Sequence, residues 1–242
     1  MAGLGTIINT AAIIVGGLLG LLFGRKIPER LQDTLMKANG VCVLFIGIAG
    51  ALQEMFTVAG RKIESGGTMM MIGSLAIGAV IGEIINIEHH MERFGEWLKK
   101  KTKSDKDTSF VDGFVTASLT VCIGAMAVVG SIKDGIYGDY SVLAAKAVLD
   151  LIIIIIMTAS MGKGCIFSAI PVAVFQGSIT LLARLIEPIM TETALSYLSL
   201  TGSILIFCVG VNLVWGKKIK VANLLPTIVI AVIWAVIESL IG

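Results

Sequence analysis

The chain is 242 residues long, 56% of them hydrophobic and only 15% charged, with a formal net charge of +2. A soluble domain carries about 25% charged residues, so this composition excludes a soluble globular protein and a disordered chain. The small net charge gives no footing for nucleic acid or another polyanion as partner.

Uncharged apolar runs set the class. A helix needs about 20 apolar residues to cross a hydrocarbon core of roughly 30 Å. Such runs cover Met1–Gly24, Gly40–Gln53, Ser65–Gly82, Gly113–Ile132, Leu151–Gly162, Cys165–Ala183, Thr193–Gly216 and Val221–Ile237. The fifth extends back to Val142 if Lys146 and Asp150 are tolerated inside it. They predict an all-α membrane protein with one polytopic domain over 1–242 and eight spans, near 4–23, 40–59, 67–87, 113–132, 142–161, 165–185, 195–215 and 222–241. The first run has no cation before it and Arg25, Lys26 and Arg30 after it, which argues against a cleaved leader and places the N-terminus outside.

Charge distribution tests the count. With the N-terminus outside, the loops predicted inside hold 14 Lys and Arg, and those outside hold Arg61, Lys62 and Lys133. The longest loop, 88–112, and the basic loop 216–221 then share the cytoplasmic side, which requires an even number of spans between them. Eight spans put both termini outside. Cys42, Cys122, Cys165 and Cys208 stand singly in spans and read as small apolar residues.

The first half repeats itself, 1–59 against 65–132. Val15-Gly16-Gly17-Leu18-Leu19-Gly20 matches Ile77-Gly78-Ala79-Val80-Ile81-Gly82; Glu29–Lys37 matches Glu92–Lys100; Ile46-Gly47-Ile48-Ala49 matches Ile123-Gly124-Ala125-Met126. Parallel repeats of this kind occur in transporter folds. Gly16/Gly20 and Gly78/Gly82 are G-x-x-x-G pairs, which let helices approach closely in a core or, where exposed, between copies in a homo-oligomer. The connectors 27–37 and 90–101 are amphipathic and are expected to lie at the interface. A fainter echo joins Phe23-Gly24-Arg25-Lys26-Ile27 to Trp215-Gly216-Lys217-Lys218-Ile219.

Chemistry can reside only in polar side chains held in the hydrocarbon, where an ionisable group costs roughly 3 kcal/mol or more. Asp150 falls near the midplane of the fifth span, one turn from Lys146. Two readings stand: a mutually neutralising pair that locks packing, or a cation or proton site in which Lys146 is the counter-ion. In the fourth span Thr116, Thr120, Gly124, Ala127, Ser131 and Asp134 recur at spacings of three and four, as one polar face through the bilayer. Ser168, Gln176, Thr180 and Arg184 do the same in the sixth. Between spans five and six, Gly162, Gly164 and Pro171 mark either a tight turn or broken, re-entrant helices. Asn9 shares the small-residue face of the first span. His89-His90 lacks the carboxylate pattern of a metal site. No nucleotide-binding or hydrolase motif occurs, so neither an enzyme nor a cofactor is expected.

Cys122–Gly135 (CIGAMAVVGSIKDG), Gly138-Asp139, Lys146–Asp150 (KAVLD), Gly164–Pro171 (GCIFSAIP), Lys218–Pro226 (KIKVANLLP) and the opening Gly3–Asn9 (GLGTIIN) together carry a resemblance. The chain resembles, over nearly its whole length, the YdfK/YqgA-type family of uncharacterised bacterial inner-membrane proteins. The resemblance implies a multi-pass protein of the bacterial plasma membrane in a family commonly grouped with transporters. It points to the neighbourhoods of Lys146, Asp150, Ser131, Asp134, Ser168 and Asn223, and it supplies no catalytic residues.

The expectation is a secondary transporter or channel-like permease for a small solute or ion. Spans four to six would line a pathway, with Asp150 bearing charge, Lys146 as counter-ion, and Gln176, Ser131, Asp134, Ser168, Asn9 and Thr120 as polar ligands. The alternative is an intramembrane structural or regulatory protein whose polar groups are all paired internally.

Overall fold

The computed structural model describes residues 2–24, 28–59 and 62–241. Arg25, Lys26 and Arg61, counted above among the loop cations, and Ile27 of the first connector lie outside them.

Helices run in the order α1 (Leu4–Gly24), α2 (Glu29–Met55), α3 (Thr68–Ile85), α4 (Ile87–Lys101), α5 (Phe110–Cys122), α6 (Ala125–Tyr137), α7 (Ser141–Met161), α8 (Ala169–Leu181), α9 (Ala183–Ile186), α10 (Glu192–Trp215) and α11 (Pro226–Ile241). A short antiparallel hairpin, β1 (Phe56–Ala59) and β2 (Lys62–Ser65), joins α2 to α3. Among the described residues, seven helical stretches are long and apolar enough to span a bilayer, and an eighth is reached if α5 and α6, bent by 63° at their junction, count as one span. Ile7, Leu18, Leu22, Met69, Val80, Ile84 and Val148 all lie open on their helices, a surface that water would not tolerate and lipid tails match. The chain is a multi-pass helical membrane protein.

Several of the expected spans depart from the expected shape. Span two begins at Glu29 rather than residue 40. No glycine or proline interrupts 29–39, and Pro28 (φ −65°, ψ 149°) opens the helix, so the first connector is continuous with span two and not a separate segment. Span four is not one helix. Gly124 sits at φ 141°, ψ 149°, a region open only to glycine, and the chain turns there. The polar face expected from Thr116 to Asp134 is therefore cut between Thr120 and Ser131. Span six starts as a 3-10 turn, Lys163–Ser168, before α8. The connection from α7 is tight, with α7 unbroken over 21 residues; the break lies in span four instead. The second connector does form a separate amphipathic helix, α4.

Close helix pairs organise the bundle. α1 runs parallel to α7, with Gly5 against Leu143 and Gly24 against Ala159. A Cβ on Gly16 would lie 2.7 Å from the Leu151 carbonyl oxygen, and one on Gly20 2.6 Å from that of Ile155. α2 is antiparallel to α10, with Gly47 on Phe207 and Gly210 on Leu44. α3 descends along α11 and the 3-10 turn Val221–Leu224, with Gly78 on Thr227 and Gly82 on Asn223. Both G-x-x-x-G pairs are thus used inside the chain and leave no glycine face for a second copy. α5 is the most enclosed helix, with Phe110, Phe114, Ala117, Leu119 and Val121 all buried.

The two matched segments of the sequence repeat take different backbones. Gly47 is mid-helix in α2, whereas its counterpart Gly124 breaks span four. A closer structural likeness lies in the second half. α7 and α10 each end on a glycine of nearly the same conformation, Gly162 (φ 86°, ψ −170°) and Gly216 (φ 79°, ψ 176°). Each is followed by a 3-10 turn and a helix carrying an early proline, Pro171 or Pro226.

Candidate functional site

The ends of α1, α7 and α10 meet the basic segments on one face of the bundle; the starts of α1, α7 and α10 and the ends of α6 and α8 meet on the opposite face. Between them the buried polar side chains gather in one column, enclosed by α1, α6, α7 and α8.

Its outermost layer joins three helices. The amide of Gly5 donates to Asp134 Oδ2 at 2.9 Å, and the Thr6 and Thr180 hydroxyls lie 3.4 Å apart. Gly5 permits this, since a Cβ there would stand 2.7 Å from Leu143. One turn deeper on the same helices come Asn9 on α1, Ser131 on α6 and Gln176 on α8. All three are fully buried.

The inner layer is the ion pair. Lys146 Nζ donates to Asp150 Oδ2 at 2.5 Å, to Oδ1 at 2.7 Å and to the Val121 carbonyl at 2.8 Å. That carbonyl lies in the last turn of α5, where the break removes helical donors. Asn9 Nδ2 donates to Asp150 Oδ2 at 3.0 Å. The Asp150 side chain is 5% exposed and that of Lys146 8%. Both charges are paired, hydrogen-bonded and sealed from solvent.

The remaining atoms of the column are not satisfied. Among the described residues, seven buried side-chain nitrogens or oxygens have no hydrogen-bond partner, and five of them are here: Asn9 Oδ1, Ser131 Oγ, Asp134 Oδ1, and both Gln176 amide atoms. Native interiors rarely leave such groups alone, and a cluster of five marks a place for water or an ion.

A cavity of about 420 Å³ opens toward the basic face. Asp33, Glu88, Asp112 and Lys217 charge its rim, and Thr116 and Leu119 of α5 line it further in. It stops short of the break, since Leu119 is two residues, or about 3 Å of helix rise, before Val121. No residue of the column lines it.

A network at the rim fixes α3 and α4 to the 216–224 segment. Lys217 bridges Glu88 at 2.9 Å and Glu92. Asn223 accepts from the Glu88 amide at 2.8 Å and donates to Glu83 at 2.7 Å. Partial burial of the Lys217 ammonium lowers its pKa, but the hydrogen bonds and charges of Glu92 and Glu88 outweigh this and hold it above the ordinary lysine range. Asn212 holds the same segment through Ile219 and Lys218.

Of the expected site residues, hydrogen bonds join Asp150, Lys146 and Asn9; Asp134 is tied to Gly5 of the same helix as Asn9, and Ser131 and Gln176 lie one turn along their helices from Asp134 and Thr180. The structure leaves two outside the column. Ser168 donates to the Cys165 carbonyl within its own turn at 2.7 Å, and Thr120 donates to the Thr116 carbonyl at 2.7 Å. Sequence reasoning missed Thr6, which looks like any hydroxyl near a helix start. It also missed Asp112, a first-turn carboxylate, and the Val121 carbonyl, which no side-chain pattern announces.

Comparisons agree with the resemblance read from the central block. The family described as "Protein of unknown function (DUF554)" matches residues 4–236. The chain is 34% identical over 226 residues to the uncharacterized membrane protein YdfK of Bacillus subtilis (strain 168), covering 93% of each. It is 26% identical over 232 residues to the uncharacterized protein YqgA of Escherichia coli (strain K12), covering 94% of each. No solved structure matches.

Proposed function

The chain belongs to the DUF554 family, and from its geometry we propose that it is a secondary transporter or channel-like permease of the bacterial plasma membrane, not an enzyme. The observation that carries this reading is the buried column with five unpartnered polar atoms. A protein that only braces the membrane gains nothing from such atoms, whereas one that takes up and releases a solute needs groups whose partners come and go. The cavity supports the same reading as a vestibule that stops one helix break short of the column. Charge distribution makes its face cytoplasmic. The role first given to Asp150 passes to the layers above it, because Asp150 is closed by Lys146 and Asn9. Broken helices lining a midplane site are a recurring transporter device.

A non-transporting scaffold is the second reading, and the sealed Lys146–Asp150 pair favours it.

Side-specific labelling separates the two. In a background without the four native cysteines, Thr116→Cys and Ser131→Cys would be exposed in oriented vesicles to a membrane-impermeant maleimide. Thr116→Cys is expected to react rapidly from the cytoplasmic face. Ser131→Cys is expected to resist from that face and to react slowly from the other, at the rate the column opens. If Ser131→Cys stays unlabelled from both faces while Thr116→Cys reacts, the permease reading fails and the scaffold stands.

A further inference from the structure

We propose that Asp134, Ser131, Gln176 and Asn9 bind one monovalent alkali cation, sodium or potassium. The proposal gives the permease reading its coupling ion and rests on the same column.

Charge is the first argument. The charged side chains buried in the column are Asp134, Lys146 and Asp150. Lys146 and Asp150 cancel. Asp134 is 0% exposed, and among the described residues no lysine, arginine or histidine pairs with it. Among the described residues, the one hydrogen-bond partner of its side chain is the Gly5 amide. Two carboxylates and one ammonium leave a single negative charge in a low-dielectric interior, where an uncompensated ion is strongly disfavoured. One positive charge completes the column.

Ligand chemistry is the second. The unpartnered acceptors are a carboxylate oxygen, a hydroxyl and two amide carbonyls, Asp134 Oδ1, Ser131 Oγ, Gln176 Oε1 and Asn9 Oδ1. They come from three helices, and each lies on or within one helical turn of the Gly5–Asp134 and Thr6–Thr180 contacts. All four are hard oxygens, without thiolate or imidazole. Such a set suits hard cations and not the transition metals. A divalent ion on this lone carboxylate would leave a positive excess in place of the negative one. Asn9, Ser131, Asp134 and Gln176 are all 0% exposed and the cavity on the basic face does not reach them, which suits a small occupant, an ion with at most its own water. Such a water also supplies the acceptor that Gln176 Nε2 lacks.

Gln176 and Asn9 link the site to the rest of the mechanism. Asn9 offers its oxygen to the ion while its nitrogen holds Asp150. Cation arrival would thereby be felt at Lys146 and at the Val121 carbonyl of the broken span.

Thermal unfolding of the purified protein in micelles tests this without measuring transport. Melting temperatures would be compared in sodium, potassium and N-methylglucamine chloride at equal ionic strength. A cation that binds only the folded state raises Tm by roughly 5–10 °C when present about 100-fold above its dissociation constant. The expected result is that rise in sodium or potassium, absent in N-methylglucamine, and abolished in Asp134→Asn. Asparagine keeps the shape and the acceptor for Gly5 while removing the lone charge, so the variant should melt no lower than wild type in N-methylglucamine. Should it fail to fold, Ser131→Ala serves instead and must shift the salt dependence to higher cation concentration. Equal melting temperatures in the three salts would overturn the proposal and leave a proton or internal bonds to balance Asp134. So would an alkali-cation effect that survives Asp134→Asn. Loss of labelling at Ser131→Cys would end the permease reading but leave the salt effect in place, so the two failures are distinguishable.

Discussion

Lys146→Met is expected to lower stability by about 3–5 kcal/mol, the usual cost of stranding one member of a buried ion pair. At this chain length that corresponds to a fall in Tm of roughly 6–20 °C. Asp150 would keep only the Asn9 amide as partner, and the Val121 carbonyl would lose its donor beside the break. The double variant Lys146→Met, Asp150→Leu should recover most of the loss, because replacing a buried pair by apolar groups of similar volume is often neutral. Melting curves of the two single variants and the double variant in micelles check this. A single lysine variant as stable as wild type would mean that the pair is not what fixes α7 to the broken span.

The second large effect lies where α3 meets the Val221–Leu224 turn. A Cβ on Gly82 would overlap the Asn223 carbonyl oxygen and stand 2.6 Å from its carbon. Backbone faces backbone there, so no rotamer change relieves the clash, and α3 must move away. Movement would break the Asn223 bonds to the Glu88 amide and Glu83, and the bond from the Ala222 amide to Glu88. Gly82→Ala is therefore expected to cost about 3 kcal/mol, the upper end of ordinary overpacking. It should also alter the labelling rate of Thr116→Cys, since Glu88 and Val221 wall the same cavity. Gly177→Ala is the control. Nothing lies within 4 Å of a Cβ there, and the position is inside α8, so alanine should stabilise by up to about 1 kcal/mol through helix propensity alone.

Much of this architecture was legible in the sequence because lipid imposes simple rules. Uncharged length located the seven or eight helical stretches able to cross a bilayer. The Lys146–Asp150 pair followed from a four-residue spacing. Gly124 was not legible as a break. In sequence it resembles Gly16, Gly20, Gly78 and Gly82, which serve close packing; only the neighbouring backbone separates a glycine that admits a helix from one that ends a helix. The beginning of α2 was misjudged for a related reason. Charged residues at 29–37 look interfacial, yet nothing in them stops a helix.

Within the site, sequence could say which side chains were polar in oil but not which were satisfied. Asp150 drew attention through its depth, and it proved fully partnered. Asp134 was read as one more member of the polar face of the fourth span, with nothing to set it apart from Thr116, Thr120 or Ser131. Its partner comes from Gly5, 129 positions away, and no local pattern encodes that meeting. Ser168 and Thr120 fit the spacing of a polar stripe and instead bond their own helical turns. Satisfaction is a tertiary property, and the column is defined by it.

The elbow at Gly124 has a mechanical consequence. α6 spans 13 residues, close to 20 Å of lever at about 1.5 Å per residue. A swivel of about 10° in the torsions at that one glycine carries the Tyr137 end of α6 some 3 Å sideways. That displacement is enough to detach Asp134 from the Gly5 amide, while α5, anchored through Val121 to the Lys146 ammonium, keeps its place beside the vestibule. A rotation at that single residue would therefore act first on the outer layer, where α6 packs closely on α8 through Gly135 and on α7 through Gly130, while the inner pair stays tied to α5 through the Val121 carbonyl.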